Sequence, residues 1–438
     1  MALINVYFKG CQMKKFIALA TLSTVCVSGQ ALAARWANDA QPGVFNLFMS
    51  KPMNYNFSQL KTKAMLPDDR FGWSESFWPN KKGGIAYRWN DPKALPFEKT
   101  KAMDEKTLMK TYFYSRDQLK KMSVEEIGKL SPAELYDISQ ENYDYPLTKK
   151  VMKQYAPTNE WWEGICHGWA LAAVHYAEPA PVTVTNKHGI PVPFGSSDVK
   201  ALLALHDAYN SNGAYAQVGK RCFKVGKIKG EEYEEDGKDV KFPTQAEIDA
   251  DKDNADACND INPGALHLIL ANMIGENSKG FVAEIDRLND VWNQPVIGYD
   301  STINGELPLS AAEKASGVAK KLHVNTDMTY GDELEFYSEE EAHKGTLGFV
   351  SKEPVTGTER QTNSVRKFEY TLELDAAGNI IGGEWISASR PDFVWSKQKD
   401  KEFRDGSGGS SFFGFSFGSK KVGFKLEGLK KIYRPVQR

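Results

Sequence analysis

Past its first few dozen residues the chain has no run of about 20 continuous apolar side chains, so it offers no segment to cross a membrane as a helix. It has no excess of basic charge either. Lys and Arg number 55 against 57 Asp and Glu, a net charge of −2, which argues against a nucleic-acid partner. No internal period recurs along the chain, which excludes solenoids and propellers. Cysteine and histidine are scarce, with five and seven in 438 residues. With so few thiols and imidazoles, each one can be weighed individually as a candidate for chemistry.

What is present begins with Met13-Lys14-Lys15, an apolar run from Phe16 to Val27, and Ala31-Leu32-Ala33. A charged start, a short apolar stretch and small residues at the cut describe a signal peptide over 1–33, with Met13 able to start a complete signal by itself. The mature protein is therefore expected to be soluble and secreted, with 52 basic against 57 acidic residues. Cys11 and Cys26 leave with the signal, and Cys166, Cys222 and Cys258 remain. Three is odd, so an oxidising compartment pairs two and leaves one thiol free. Cys222 and Cys258 flank a polar, acidic segment and are the expected disulfide, which contributes roughly 3–4 kcal/mol on the chain-entropy model.

The aromatic content of 12% and charged content of 26% describe a globular chain long enough for several regions. Residues 34–150 read as mostly helical. Two capping boxes are legible there, Ser123-Val124-Glu125-Glu126 and Ser131-Pro132-Ala133-Glu134. Residues 151–301 read as the catalytic core, with helices at Cys166–Ala177 and Asp198–Tyr209, an acidic insert, and a hairpin of strands His267–Ile274 and Gly280–Asp286. Residues 302–438 read as β-rich, with a strong hairpin signal from Lys367–Asp375 through Ala376-Ala377-Gly378-Asn379 to Ile380–Ala388.

Cys166 stands between an aromatic loop, Trp161-Trp162-Glu163-Gly164-Ile165, and an alanine-rich apolar helix. A thiol at a helix N-terminus gains thiolate character from the dipole and the unpaired amides, which also suit an oxyanion. The alternative is a buried structural cysteine. A nucleophilic thiol needs a base, and His267 stands out because it opens the expected hairpin. With the turn near Asn277, the residue opposite His267 falls near Leu288, which brings Asp286 and Asp290 into range to orient the ring. Asp286 is the first choice, with Asp290 and Asn293 as alternatives. Trp161, Trp162, His167 and Trp169 are read as lining the cleft. The order helix-borne Cys, then His, then Asp or Asn is that of papain-like folds, so the expected class is α+β with a papain-like cysteine catalytic core. That order does not separate a protease from a transglutaminase, since both pass through a thioester.

Trp162-Glu163-Gly164-Ile165-Cys166-His167-Gly168-Trp169, Ser197-Asp198-Val199-Lys200-Ala201-Leu202 and Asn262-Pro263-Gly264-Ala265-Leu266-His267 resemble consecutive landmarks of the transglutaminase-elicitor family of plant-pathogenic oomycetes and marine bacteria. Val291-Trp292-Asn293-Gln294-Pro295-Val296 is similar to that family's elicitor peptide, with Ile297 where the oomycete pattern has a basic residue. Gly382-Gly383-Glu384-Trp385 and Arg390-Pro391-Asp392-Phe393 resemble its C-terminal region, so the likeness spans roughly 71–394. It implies protein-glutamine γ-glutamyltransferase activity, with a protein glutamine donor and a lysine or other amine as acceptor, a papain-like core, calcium dependence and no organic cofactor. Local calcium candidates are Asp249, Asp251, Asp253 and Asp260, an EF-hand-like spacing with Asn254 in place of the loop glycine. A solvated acidic loop is the competing reading. The rival functions are a secreted cysteine protease or glutamine deamidase, and a surface-binding protein with an inert Cys166. The protein is expected to be a monomer.

Overall fold

A computed structural model describes residues 41–70, 72–209, 213–220, 260–285, 291–334, 352–358, 361–387, 389–399, 403 and 426–437. Cys222, Cys258, Asp249, Asp251, Asp253, Asp286 and Asp290 lie outside these residues. None of the helices among the described residues is long and apolar enough to cross a membrane.

The N-terminal helices form where their caps are written. Ser123 and Ser131 each accept from the backbone N–H of Glu126 and Glu134, whose carboxylates reach back to the cap, and Pro132 opens the second helix, Pro132–Ser139. Glu134 also holds Arg88 in a buried bidentate pair at 2.6 and 2.9 Å, tying the cap to the segment before it. Breaking such a pair from one side costs about 3–5 kcal/mol, because the remaining charge stays buried.

The organising element is an eight-stranded antiparallel sheet. Its strands are β1 (Lys63–Met65), β4 (Tyr215–Gly219), β5 (Phe281–Glu284), β6 (Asn293–Leu307), β7 (Lys320–Gly331), β8 (Asn363–Leu374), β9 (Ile380–Gly382) and β10 (Phe393–Lys397). A separate hairpin joins β2 (Val182–Thr185) to β3 (Pro191–Phe194). The order in the large sheet is β4-β10-β5-β6-β7-β8-β9, with β1 alongside β6. The anticipated hairpin near 367–388 is present as β8 and β9, closed by the turn in which Asp375 accepts from the backbone of Ala377 and Asn379. The expected start of a β-rich region at 302 falls inside β6, a 15-residue strand that belongs to the same sheet as β5.

Strand alternation sorts the interior into two layers. On β5 and β10, Val282, Phe393 and Trp395 pack with Cys166 and its helix, while Phe281, Ala283 and Val394 pack with Leu266, Leu268 and Ile269 on the opposite face. Burial on both faces explains why these strands read as continuous apolar runs.

One expected hairpin is absent. His267–Ile274 is not a strand; it belongs to a helix, Pro263–Ile269, that continues through a π-helical stretch, Leu270–Glu276. An apolar run of this length does not distinguish a buried strand from a buried helix. The deciding signal was the start: Asn262 caps the helix by accepting from Gly264 N–H, and Pro263 occupies the first helical position. The second expected strand is present as β5, paired with β6 rather than with 267–274.

Candidate active site

Cys166 is the first residue of the helix Cys166–His175, and its N-terminus carries no side-chain cap. Of the first-turn amides, Gly168 N–H already bonds the Ile165 carbonyl at 2.9 Å, whereas Cys166 N–H stands at the positive end of the helix, where an anion is favoured. Two glycines let the helix sit where it does. A Cβ on Gly168 would lie 2.2 Å from the Ala204 carbonyl of the neighbouring helix Ser196–Tyr209, and one on Gly164 would lie 2.2 Å from the Phe77 carbonyl. That same carbonyl accepts from Ile165 N–H at 2.7 Å and pins the chain just before the cysteine.

The thiol faces the sheet. It donates to the Val291 carbonyl at 3.6 Å, and Asn293 Nδ2 approaches Sγ at 3.9 Å. Asn293 is the first residue of β6, is buried, and has Glu284 as its cross-strand partner. Its Oδ1 accepts from the indole N–H of Trp395 at 2.7 Å. The segment Val291–Val296, similar to the family's elicitor peptide, therefore runs beside the Cys166 thiol. Of the three candidates for the third position, Asn293 is near Cys166, while Asp286 and Asp290 lie outside the described residues.

The electrostatics differ from the expected low-pKa thiolate. Burial pushes the Cys166 thiol up to about 12, Glu333 adds to this, and Glu284 adds further, while the backbone N–H and side chain of Asn293 work in the opposite direction. A helix N-terminus favours an anion by at most about 2 kcal/mol, whereas full burial shifts a group by as much as about 3–5 pK units, so burial wins. The resting Cys166 is a neutral thiol. Desolvation also holds the Glu333 carboxyl well above the usual carboxylate range, with Asp332 adding to the effect. Glu333 Oε1 is buried without a hydrogen-bond partner among the described residues.

His167, next in the chain, is half-buried and meets Tyr209 edge-on with ring centroids 6.0 Å apart. Burial and, secondarily, Lys397 push its ring down to about 4, so it is neutral at physiological pH. Trp161 is 53% exposed and lies against Trp292, which also contacts Phe77 edge-on. Trp162 is half-buried against the same core. Trp169 does not line the cleft as expected. It is fully buried, with its indole N–H donating to the Trp73 carbonyl, because the apolar helix turns that face inward.

His267 is not delivered to Cys166. Its helix packs on the other face of the sheet, against β8 and β9. There Nδ1 bonds the Tyr370 hydroxyl at 2.9 Å, in a chain that continues to Thr326 and Ser301. Phe57 covers the ring, and Nε2 has no partner among the described residues. Burial pushes this histidine down to about 4 from an ordinary 6.5. The sign follows: the folded protein keeps His267 neutral while the unfolded chain takes up a proton, so stability is lost as pH falls from 6.5 towards 4. The loss is on the order of 3 kcal/mol when complete. Thermal melts of the wild type and His267→Phe between pH 7.5 and 4 check this, and a flatter pH dependence is expected in the variant.

Asp260, a calcium candidate, holds Arg390 in a buried pair at 2.5 Å. Among the described residues a second acidic group comprises Glu313, Glu373 and Glu384, but Lys321 Nζ already bonds Glu313 at 2.7 Å and Glu384 at 2.6 Å. A protein cation thus engages Asp260 and the Glu313–Glu384 group, while Asp249, Asp251 and Asp253 lie outside the described residues.

Sequence reasoning missed Glu284, Glu333 and Trp395. Glu284 had a visible signal, a carboxylate ending the otherwise apolar strand Phe281-Val282-Ala283. Glu333 had none, as Gly331-Asp332-Glu333-Leu334-Glu335 reads as a charged loop.

The family model described as transglutaminase elicitor matches residues 44–404. The chain belongs to the transglutaminase elicitor family. Its fold resembles the crystal structure of the GP42 transglutaminase from Phytophthora sojae, with a TM-score of 0.55 at 18% identity, covering 91% of this chain and 97% of that one. No curated protein sequence matches it. Family membership supports a transglutaminase-like function, and the solved structure supports the shared mixed helix-and-sheet fold with its antiparallel sheet.

Proposed function

We propose that this transglutaminase elicitor family protein is a secreted protein-glutamine γ-glutamyltransferase with Cys166 as nucleophile. The observation that carries the reading is the thiol at an uncapped helix N-terminus, packed on an antiparallel sheet and facing Asn293, with Glu333 and Glu284 acting on it electrostatically. A cysteine helix packed on a sheet is the arrangement of papain-like enzymes, and we extend that likeness to this core. The segment from Met13 to Ala33 supports export.

Sulfur attacks the glutamine γ-carboxamide carbon as the S–H proton passes to Glu333, the carboxylate acting most strongly on Sγ. The backbone N–H of Cys166, at the positive end of its helix, receives the oxyanion. Collapse breaks the C–N bond, and the same proton leaves with the amide nitrogen as ammonia, giving a thioester. A lysine amine then attacks the thioester and yields a proton to Glu333. The departing sulfur takes that proton back, leaving an isopeptide bond and free enzyme. Trp161 and Trp292 at the rim limit water, which favours aminolysis over hydrolysis.

Incubating the mature protein with a glutamine peptide and a labelled amine tests the reading. Incorporation with one ammonia released per transfer is expected. Ammonia or cleavage without incorporation indicates a deamidase or protease, and neither product indicates a binding protein.

A further inference from the structure

We propose that Trp395 is a positioning residue that acts through Asn293: its indole N–H fixes the Asn293 side chain so that the amide NH₂, not the carbonyl, faces the Cys166 sulfur. The inference rests on Cys166 being the nucleophile. It adds a residue from a distant strand that touches neither substrate nor sulfur.

The geometry follows from register. On β10, Trp395 pairs with Val282 of β5, and on β6 Pro295 pairs with the same Val282. Trp395 and Asn293 thus reach each other diagonally across β5, on the face that carries Cys166. An indole nitrogen can only donate. Bonded at 2.7 Å, it donates to Oδ1 and excludes NH₂, which would leave two donors facing each other. The amide has two orientations, and this contact selects the one with Nδ2 3.9 Å from Sγ. Both side chains are buried, so no solvent competes for the bond.

The selected orientation matters when charge develops on sulfur. Glu333 and Glu284 both oppose a thiolate there, Tyr209 and the neutral His167 lie beside it, and Asn293 is the group whose N–H donors favour the anion. With the amide reversed, Oδ1 would add a third negative dipole to the same point.

The test uses alkylation of Cys166 by iodoacetamide, read on the Cys166 peptide by mass spectrometry. This needs no acyl transfer, so its result stands whether or not the protein is a transglutaminase. Trp395→Phe is expected to slow Cys166 alkylation about tenfold at fixed pH and to move its pH profile to higher pH, the scale of a hydrogen bond to a charged group. Asn293→Ala should do the same. The double variant should be no slower than Asn293→Ala, because Trp395 acts only through Asn293. If Trp395→Phe fails to fold, benzothienylalanine at 395 keeps the ring shape and removes only the N–H. Unchanged alkylation, or an effect of Trp395 that persists without Asn293, overturns the proposal.

Discussion

Cys166→Ala is expected to abolish amine incorporation, a loss of at least about 10⁴-fold, because no other group can carry the acyl intermediate. The fold should survive. The thiol makes two long contacts, to the Val291 carbonyl and from Asn293 Nδ2, and packs as a small apolar group, so removing sulfur costs about 1 kcal/mol. Unfolding curves that overlay within that margin, with incorporation at background, are the expected pair of results. Retained incorporation would remove Cys166 from the mechanism. A protein that no longer folds would mean that the cysteine is structural, the alternative that its near-complete burial keeps in view.

The neutral thiol is consistent with that chemistry and with the compartment proposed for it. A nucleophile held protonated by burial is a poor target for oxidants, since oxidation proceeds through the thiolate. The proton must then leave when substrate arrives, and a group close to sulfur must take it. Sequence reasoning assigned that role to His267, and the structure places the residue elsewhere.

The difference shows what a sequence reveals here and what it hides. The cysteine helix was legible because glycine, aromatic and alanine residues cluster around Cys166, and its observed start is Cys166 itself. The capping boxes at Ser123 and Ser131 were legible because caps are local. His267 misled because eight apolar residues fit a strand or a helix equally, and the cap at Asn262 outweighs the apolar pattern. Trp169 misled because it shares the helix face of Cys166 one turn on, and there that face is sealed in the core rather than open to a cleft. Glu333 was hidden for a different reason. Its place beside Cys166 depends on chain segments separated by more than 160 residues, and no local pattern records such a meeting.

Glu333→Gln is expected to lower kcat for amine incorporation by roughly 100- to 1,000-fold, at or somewhat above the usual scale for losing a general base. In the wild type the carboxylate must be ionised to take the thiol proton, so activity should rise with pH through the carboxyl pKa. Burial holds that pKa well above 4.5, which places the acid limb of kcat/KM higher than an ordinary glutamate would. The variant should lose this limb along with the rate. Stability should move in the other direction. A carboxyl whose folded pKa is raised binds more protons folded than unfolded, so the wild type loses stability as pH climbs from 4.5 through that pKa. Glutamine carries no charge to bury, and the variant should melt at or above the wild-type temperature at pH 8, the trade between stability and activity expected at a working site. Glu284→Gln provides the control on the second carboxylate, which lies on β5 directly opposite Asn293. A larger loss there, with Glu333→Gln near wild type, would move the base to Glu284. A lowered melting temperature in Glu333→Gln would instead make that side chain a structural partner, since an unpartnered buried charge has no stabilising contact to lose.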